Sequence, residues 1–372
     1  MSPPPSPSLL ADFLADFNTK PFNFTYYHVG GGDDDLGAVA PLLRLIAESC
    51  LIVTFEIRDT TSADDQFSLT SYKGIIPQIC VPLGVGSRTC RRTFNVNKWK
   101  LSSSLYRPSD LGVGEDPQYD HVKLWGENVE LDYELNAKVS TIDTISRQLQ
   151  LPLPNFLSID AQGAELEILN GAQGAFATSI VGAMTEVEWS EIYQSQCLFH
   201  EQMGFYVDKG FRYVGCTPPQ KWHPGPRMPG LAFDTVAEAL FIKYIRNFDN
   251  KSIIPVGQCI TLSDCSDITL VRTIALSKLL GLLSYAMVLL DYAHSSRACI
   301  LPILESTSFL QGCLQMYEYY RSCKHLADND PYYHFKNYDK IPHFTSSLSP
   351  ALHGYTNDGL RSSYLPWPPF QA

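Results

Sequence analysis

The sequence predicts an α/β protein: a mostly parallel sheet with helices on both faces, followed by a mainly helical C-terminal extension. Three observations predict it. Phe156-Leu157-Ser158-Ile159 is a short apolar strand that ends on Asp160, and Gly163 then opens a helix whose apolar side carries Leu166, Ile168 and Leu169. Residues 24–29 and 51–55 are two further strand candidates, joined through Gly30-Gly31-Gly32 and an apolar-periodic stretch over 38–49. Residues 268–292 and 298–327 are rich in apolar residues at helical spacing and length. A strand that carries an acid at its carboxyl end and feeds a helix is how an α/β sheet presents chemistry to a ligand crevice.

Composition bounds the function. The chain has 372 residues, enough for one large domain or two ordinary ones. Its formal net charge of −11 argues against a nucleic-acid binder, which carries a basic stripe, and against docking on anionic membranes. Ten cysteines are scattered without a CxxC pair or zinc-ligand spacing, so reduced, buried thiols are the plain reading and the expected location is cytoplasmic. Residues 1–10 lack the basic region and apolar run of a secretory signal.

In order, residues 1–20 read as a flexible Pro/Ser-rich leader, within which 9–17 have the pattern of an amphipathic turn or two. The aromatic and β-branched strand over 24–29 meets the glycine run, where a backbone approaches a ligand closely or simply turns. The next strand, over 51–55, is nearly all apolar, as a strand covered on both faces is. Glu56 closes it about 20 residues past the glycines, the spacing at which a dinucleotide fold holds ribose hydroxyls; an exposed strand-end Glu is the alternative. Residues 79–86 give a third strand and turn that includes Leu83, and 107–128 read as a loop inserted over the crevice. Residues 129–139 supply a strand or hairpin arm, and Thr141 is an N-cap candidate for a helix running to about 149.

Past the central motif, residues 180–189 form a strand on which alternation puts Glu186 and Glu188 on one face. A buried pair of carboxylates is costly unless a cation or metal answers it; a solvent-exposed pair is the other reading. Residues 215–230 hold a long Pro/Gly loop with Lys221, Trp222 and His223, and 238–244 a closing strand. The uninterrupted apolar run over 279–290 is too short to span a bilayer. The aromatic and basic residues of 331–344 suit covering the core or stacking on sugar rings. The expected organisation is a leader over 1–20, a sheet domain over 21–248, a helical extension over 249–345 and an extended tail over 346–372.

Ile159-Asp160-Ala161-Gln162-Gly163-Ala164-Glu165, with Leu169-Asn170-Gly171-Ala172, resembles the hallmark of the FkbM methyltransferase family. Flanking segments resemble it in order: Phe55-Glu56, Ser103-Ser104-Leu105, Thr141-Ile142-Asp143, then Glu188 through Tyr193 and Leu198-Phe199 to Gly210-Phe211, and Glu238-Ala239-Leu240-Phe241. The resemblance covers roughly residues 24–246. It implies a Rossmann-like class I methyltransferase sheet, S-adenosyl-L-methionine as cofactor, and O-methylation of a saccharide or natural-product hydroxyl. The expected partner is thus a small-molecule or saccharide acceptor, with self-association left open. It implies that Glu56 holds the cofactor's ribose, and that Gly30, Gly31, Gly32, Leu83 and Asp160 join it as cofactor-binding residues. Asp160 is the first candidate for the catalytic base, Glu188 the second, and Glu165 holds either the acceptor or the loop. A divalent metal between Asp160 and Glu188 is chemically admissible, but no spacing demands one and none is assigned. At the first glycine turn the sequence departs from the family: His28 stands where an acid is expected, and Asp33, Asp34 and Asp35 enter the loop. That departure admits an alternative, a degenerate methyltransferase-fold binding or scaffold protein.

Overall fold

A computed structural model describes residues 7–30, 36–57, 68–109, 126–217, 219–222, 233–245 and 260–329. Helix α1 (Pro7–Thr19) comes first, and strand β1 (Phe24–Gly30) follows. Tight 3-10 turns over Ala40–Ser49 lead to β2 (Cys50–Phe55), β3 (Ser68–Tyr72), β4 (Ile76–Val81) and β5 (Gly84–Val85). A hairpin arm of β6 (Cys90–Asn97) and β7 (Leu131–Ser140) precedes helix α2 (Ile142–Gln148) and strand β8 (Phe156–Asp160). Then come α3 (Glu165–Asn170), α4 (Gln173–Thr178), β9 (Gly182–Glu188), α5 (Phe199–Asp208), β10 (Phe211–Cys216), β11 (Gln220–Trp222) and β12 (Phe233–Lys243). Helices α6 (Asp267–Leu279), α7 (Leu283–Ser296), α8 (Leu301–Leu304) and α9 (Ser308–Asn329) complete the described chain.

The main sheet runs β10-β12-β9-β8-β1-β2-β4-β3, with β11 on β12. Its centre is parallel, from β9 through β8, β1 and β2 to β4. Both flanks are antiparallel: β3 on β4 at one side, β12 and β10 beyond β9 at the other. The α/β expectation holds at its centre, and the sheet is mixed. The β3 flank turns antiparallel because β3 joins β4 through a tight turn at Lys73 and Gly74, both with positive φ, and a short connection cannot make a parallel crossover. The parallel strands are buried on both faces, which is why they read as apolar runs.

One face packs Tyr26, Ile52, Phe156, Met184 and Leu240 against the 3-10 turns and helices α6, α7 and α9. The other packs Tyr27, Val53, Leu157, Ala183 and Phe241 against α1 to α5. Each such large side chain contributes roughly 1.5–3 kcal/mol on burial. The C-terminal helices therefore complete the sheet's own core. Within the expected leader, residues 7–19 form a helix that buries Leu14 and Phe17. The apolar stretch over 268–292 is two helices, because Gly281 at φ +73 breaks it. Among the described residues no helix is long and apolar enough to cross a membrane. The tail, the 331–344 segment, and the 223–230 part of the long loop, His223 included, lie outside the described residues.

Local chemistry fixes the register that matters for the site. Buried Asn155 accepts from Thr25 N–H at 2.9 Å through Oδ1 and donates to Ser179 C=O at 3.3 Å, clipping the starts of β1 and β8 to the chain entering β9. Thr141 caps α2 by accepting from Thr144 N–H at 3.0 Å. Asp143 accepts from Gly174 and Ala175 N–H at 2.7 and 3.0 Å, tying α2 to the first turn of α4. Gly171 ends α3 with an ordinary right-handed φ; the glycine is required because a Cβ there would run into the Gly86 carbonyl.

Candidate active site

The central parallel strands end together at one edge of the sheet. Strand β1 lies between β2 and β8, with Val29 opposite Phe55 and Gly30 opposite Asp160. From β1 the chain builds outward through β2 and β4, then returns to β8 on the other side of β1, so the carboxyl ends of β1 and β8 form the topological switch point, where α/β folds bind ligands. Gly30 has φ +85, and a Cβ there would fall on the Asp160 carbonyl oxygen, so only glycine fits between the two strand ends. The return from the glycine run closes over the same edge: Tyr26 Oη donates to Leu36 C=O, and a Cβ on Gly37, at φ +77, would crowd Ser158 Oγ. Gly31 and Gly32 lie outside the described residues.

Glu56 and Leu83 come together on the β2/β4 side of Gly30. Their N–H groups both donate to Val81 C=O, at 3.2 and 2.9 Å, and both side chains are half-buried. Asp160 is two strand spacings from β2, about 10 Å across. The acids at 56 and 160 thus share one edge.

On the β8/β9 side the structure gathers Asp160, Glu165, Glu186 and Glu188. The turn after Asp160 has positive φ at both Gln162 (+53) and Gly163 (+98), and a Cβ on Gly163 would press on the Tyr193 and Gln196 side chains. Glu165 holds this turn: its Oε1 accepts from Ala161 N–H at 2.9 Å and Gly163 N–H at 3.2 Å. That explains the Asp-x-x-Gly-x-Glu spacing, since a carboxylate two residues past the glycine reaches back to cap the loop's free N–H groups. Gln162 links the acids, its Nε2 donating to Asp160 Oδ1 at 2.7 Å and to Glu186 Oε2 at 2.9 Å. Tyr193 Oη in turn donates to Gln162 Oε1 at 2.8 Å, which fixes the amide's orientation.

Glu165 and Glu188 are fully buried, while Glu186 and Asp160 are half-buried. Burial, with the charge of Asp160 added, pushes the Glu165 carboxyl up to about 7. Burial and the charges of the other acids raise Glu186 and Glu188 well above the usual carboxylate range. Of the expected catalytic residues, Asp160, Glu165 and Glu188 are therefore together. Sequence reasoning passed over Glu186 as a site residue, although its alternation with Glu188 was the available signal. It also missed Gln162, Tyr193 and Gln196, whose positions depend on chain contacts no spacing reveals.

The hairpin arm is tied to the same helix. Arg92 Nη1 donates to both carboxylate oxygens of Glu167, at 2.8 and 2.7 Å, and Tyr106 Oη donates to Glu167 Oε1. Ser104 Oγ donates to Gln162 C=O at 2.6 Å, which connects the Ser-Ser-Leu element to the turn after Asp160.

Residues 67–213 match the model of the methyltransferase FkbM domain. That is about two-fifths of the chain, and it begins after β2, leaving out the glycine turn that departs from the family pattern. No curated protein matches the chain. Among solved structures, a putative tRNA (m1A22) methyltransferase of Streptococcus pneumoniae, in complex with S-adenosyl-L-methionine, is similar at 9% identity. It covers 82% of this chain and 98% of its own, with a TM-score of 0.24, too low to establish a shared fold. The described residues fit a nucleoside sulfonium: a half-buried carboxylate at 56 suits a diol, half-buried Leu83 beside it suits a base, and Gly30 leaves bare backbone at the switch point. The matched region includes the turn and acids of this edge, so what the chain shares with the methyltransferase FkbM domain lies over residues 67–213.

Proposed function

We propose that this protein is an O-methyltransferase that transfers the methyl group of S-adenosyl-L-methionine to a hydroxyl of a saccharide or natural product. The observation that carries the reading is the set of acids beside the switch point, half open at Asp160 and Glu186 and closed behind at Glu165 and Glu188. A hydroxyl is a weak nucleophile until a base takes its proton, and a carboxylate on the less buried side of this cluster is placed to take it.

Bound cofactor supplies an activated methyl on a sulfonium sulfur. The protein's task is to align the acceptor and remove one proton. Glu56 and Leu83 hold the nucleoside, with the backbone at Gly30 lying alongside. Asp160 receives the hydroxyl proton as the new O–C bond forms and the S–C bond breaks. Glu188 is the second candidate for that proton. Glu165 acts through the turn that carries Asp160, so it is a positioning residue. Alignment alone supplies several kcal/mol of the barrier.

Asp160→Asn tests the assignment. The expected result is a loss of methyl transfer of about 10²–10⁴-fold, with cofactor affinity within a few-fold by calorimetry. Retained turnover would remove Asp160 from the mechanism. The competing reading, a binding or scaffold protein, is favoured by the altered glycine turn, and absence of any calorimetric response to S-adenosyl-L-methionine would select it.

A further inference from the structure

Three carboxylates from two elements converge where, among the described residues, no cation answers them. One oxygen from each of Glu165, Glu186 and Glu188 can be chosen so that all three lie within 4.8 Å of one another. Glu165 comes from the first turn of α3, Glu186 and Glu188 from the carboxyl end of β9. Among the described residues none of the three makes an ion pair, whereas Glu167, two residues away, takes Arg92.

A cluster of acids has an ordinary explanation, that its members share protons. Asp160 and Glu186 are close enough to share one, but two other oxygens of the cluster do not have that explanation. Glu165 Oε1 is satisfied by the turn, but its Oε2 is fully buried and has no hydrogen-bond partner. Glu188 Oε2 is likewise buried and without a well-formed hydrogen bond among the described residues, although the Gln196 side chain lies beside the carboxyl. Two buried, unpartnered carboxylate oxygens are costly, and natural interiors leave few such atoms without a reason. Gln162 reaches Glu186 Oε2 and Asp160 from one side but does not reach these two oxygens.

We infer that Glu165, Glu186 and Glu188 form a binding site for a hard divalent cation of the magnesium, manganese or calcium class. The donor set is all oxygen, which suits these ions and not soft metals. Metal–oxygen distances of about 2.0–2.6 Å keep two ligand oxygens of one ion within about 5 Å of each other, and the three carboxylates meet that limit. Glu186, half open to the crevice, marks the entry side, and open coordination positions there would take water or an oxygen of the acceptor. On the methyltransferase reading, on which this consequence rests, the ion holds the acceptor hydroxyl beside Asp160 and favours its deprotonation. Binding of the ion itself does not require that reading.

The experiment is a titration of the chelator-treated full chain with manganese at pH 8, with free manganese followed by electron paramagnetic resonance. The expected result is one ion per chain, an affinity lowered at least tenfold by Glu186→Gln and by Glu188→Gln, and an affinity within twofold of the parent for Glu167→Gln. Magnesium and calcium should displace the manganese. No binding up to about 10 mM, above the range of even weak calcium modules, would overturn the inference. So would binding that neither glutamine variant weakens, since the ion would then lie elsewhere. Glu188 is buried, so circular dichroism checks that its variant folds; Glu186→Gln, on the open side, carries the test if it does not. S-Adenosyl-L-methionine is titrated separately into the metal-free protein. Manganese binding without a cofactor response keeps the ion site and removes the methyltransferase reading; a cofactor response without manganese binding does the reverse.

Discussion

Two carboxylates of one short helix stand in opposite circumstances. Glu167 is half-buried, and burial works against its charge, but hydrogen bonds from Tyr106 and Arg92 hold its carboxyl below the ordinary value. Glu165 is fully buried beside other acids, and its carboxyl is pushed up to about 7. Among the described residues the fold supplies a guanidinium and a phenol to one and only backbone N–H groups to the other. The difference separates two uses of charge. The Glu167 cluster fastens the hairpin arm to the sheet, a structural task that ends once it is neutralised. The Glu165, Glu186 and Glu188 cluster keeps a charge deficit at the ligand edge, as sites do where the missing partner is substrate, proton or ion.

The largest expected effect is on turnover. Glu188→Gln should lower kcat by at least about 10²-fold, while Glu167→Gln leaves kcat within a few-fold once the protein is folded; equal losses in steady-state assays would break the distinction. Stability should separate them in the other direction. Glu167→Gln strands a half-buried Arg92 and should cost about 1–3 kcal/mol in urea unfolding. Glu188→Gln replaces a buried carboxyl that lacks a charged partner among the described residues, so in chelator at pH 8 it should be neutral or stabilising; a loss matching that of Glu167→Gln would mean that Glu188 has a partner in solution.

On the far side of Gly30, Glu56→Ala should weaken S-adenosyl-L-methionine binding about tenfold, or ~1.4 kcal/mol, by calorimetry. Unchanged affinity would exclude Glu56 as a ribose ligand. The smallest effect is a slope with pH. Glu165 binds its proton more tightly folded than unfolded, so between its ordinary 4.5 and about 7 the folded state carries more protons and chelated protein loses stability as pH rises. The depressed Glu167 contributes stability above its ordinary value and loses it as pH falls through the folded one. Melting curves of Glu165→Gln should lack the first component and keep the second.

Much of the centre was legible because burial writes itself into sequence. Strands β1, β2 and β8 are covered on both faces and read as apolar runs, and Thr141 acts as the N-cap its position suggested. Three features misled or gave nothing. Gly171 closes its helix as a terminal glycine does, but nothing local shows that the close approach to Gly86 is what requires the glycine. The apolar stretch over 268–292 reads as one helix because periodicity does not register the break at Gly281. Strand β3 is half-exposed and polar at the sheet's edge, so no apolar run announces it.

The sequence by itself determined the central strands, the acids at their tips and the family motif, because each is a local pattern of burial, turn chemistry and spacing. Only the tertiary structure decided which acids meet. Glu165 and Glu188 are brought together by the parallel pairing of β8 with β9, and whether a carboxylate finds a cation depends on a hairpin that delivers Arg92 to Glu167 and nothing to its neighbour. Charge compensation is a property of distance in space, and the chain's linear order does not encode it.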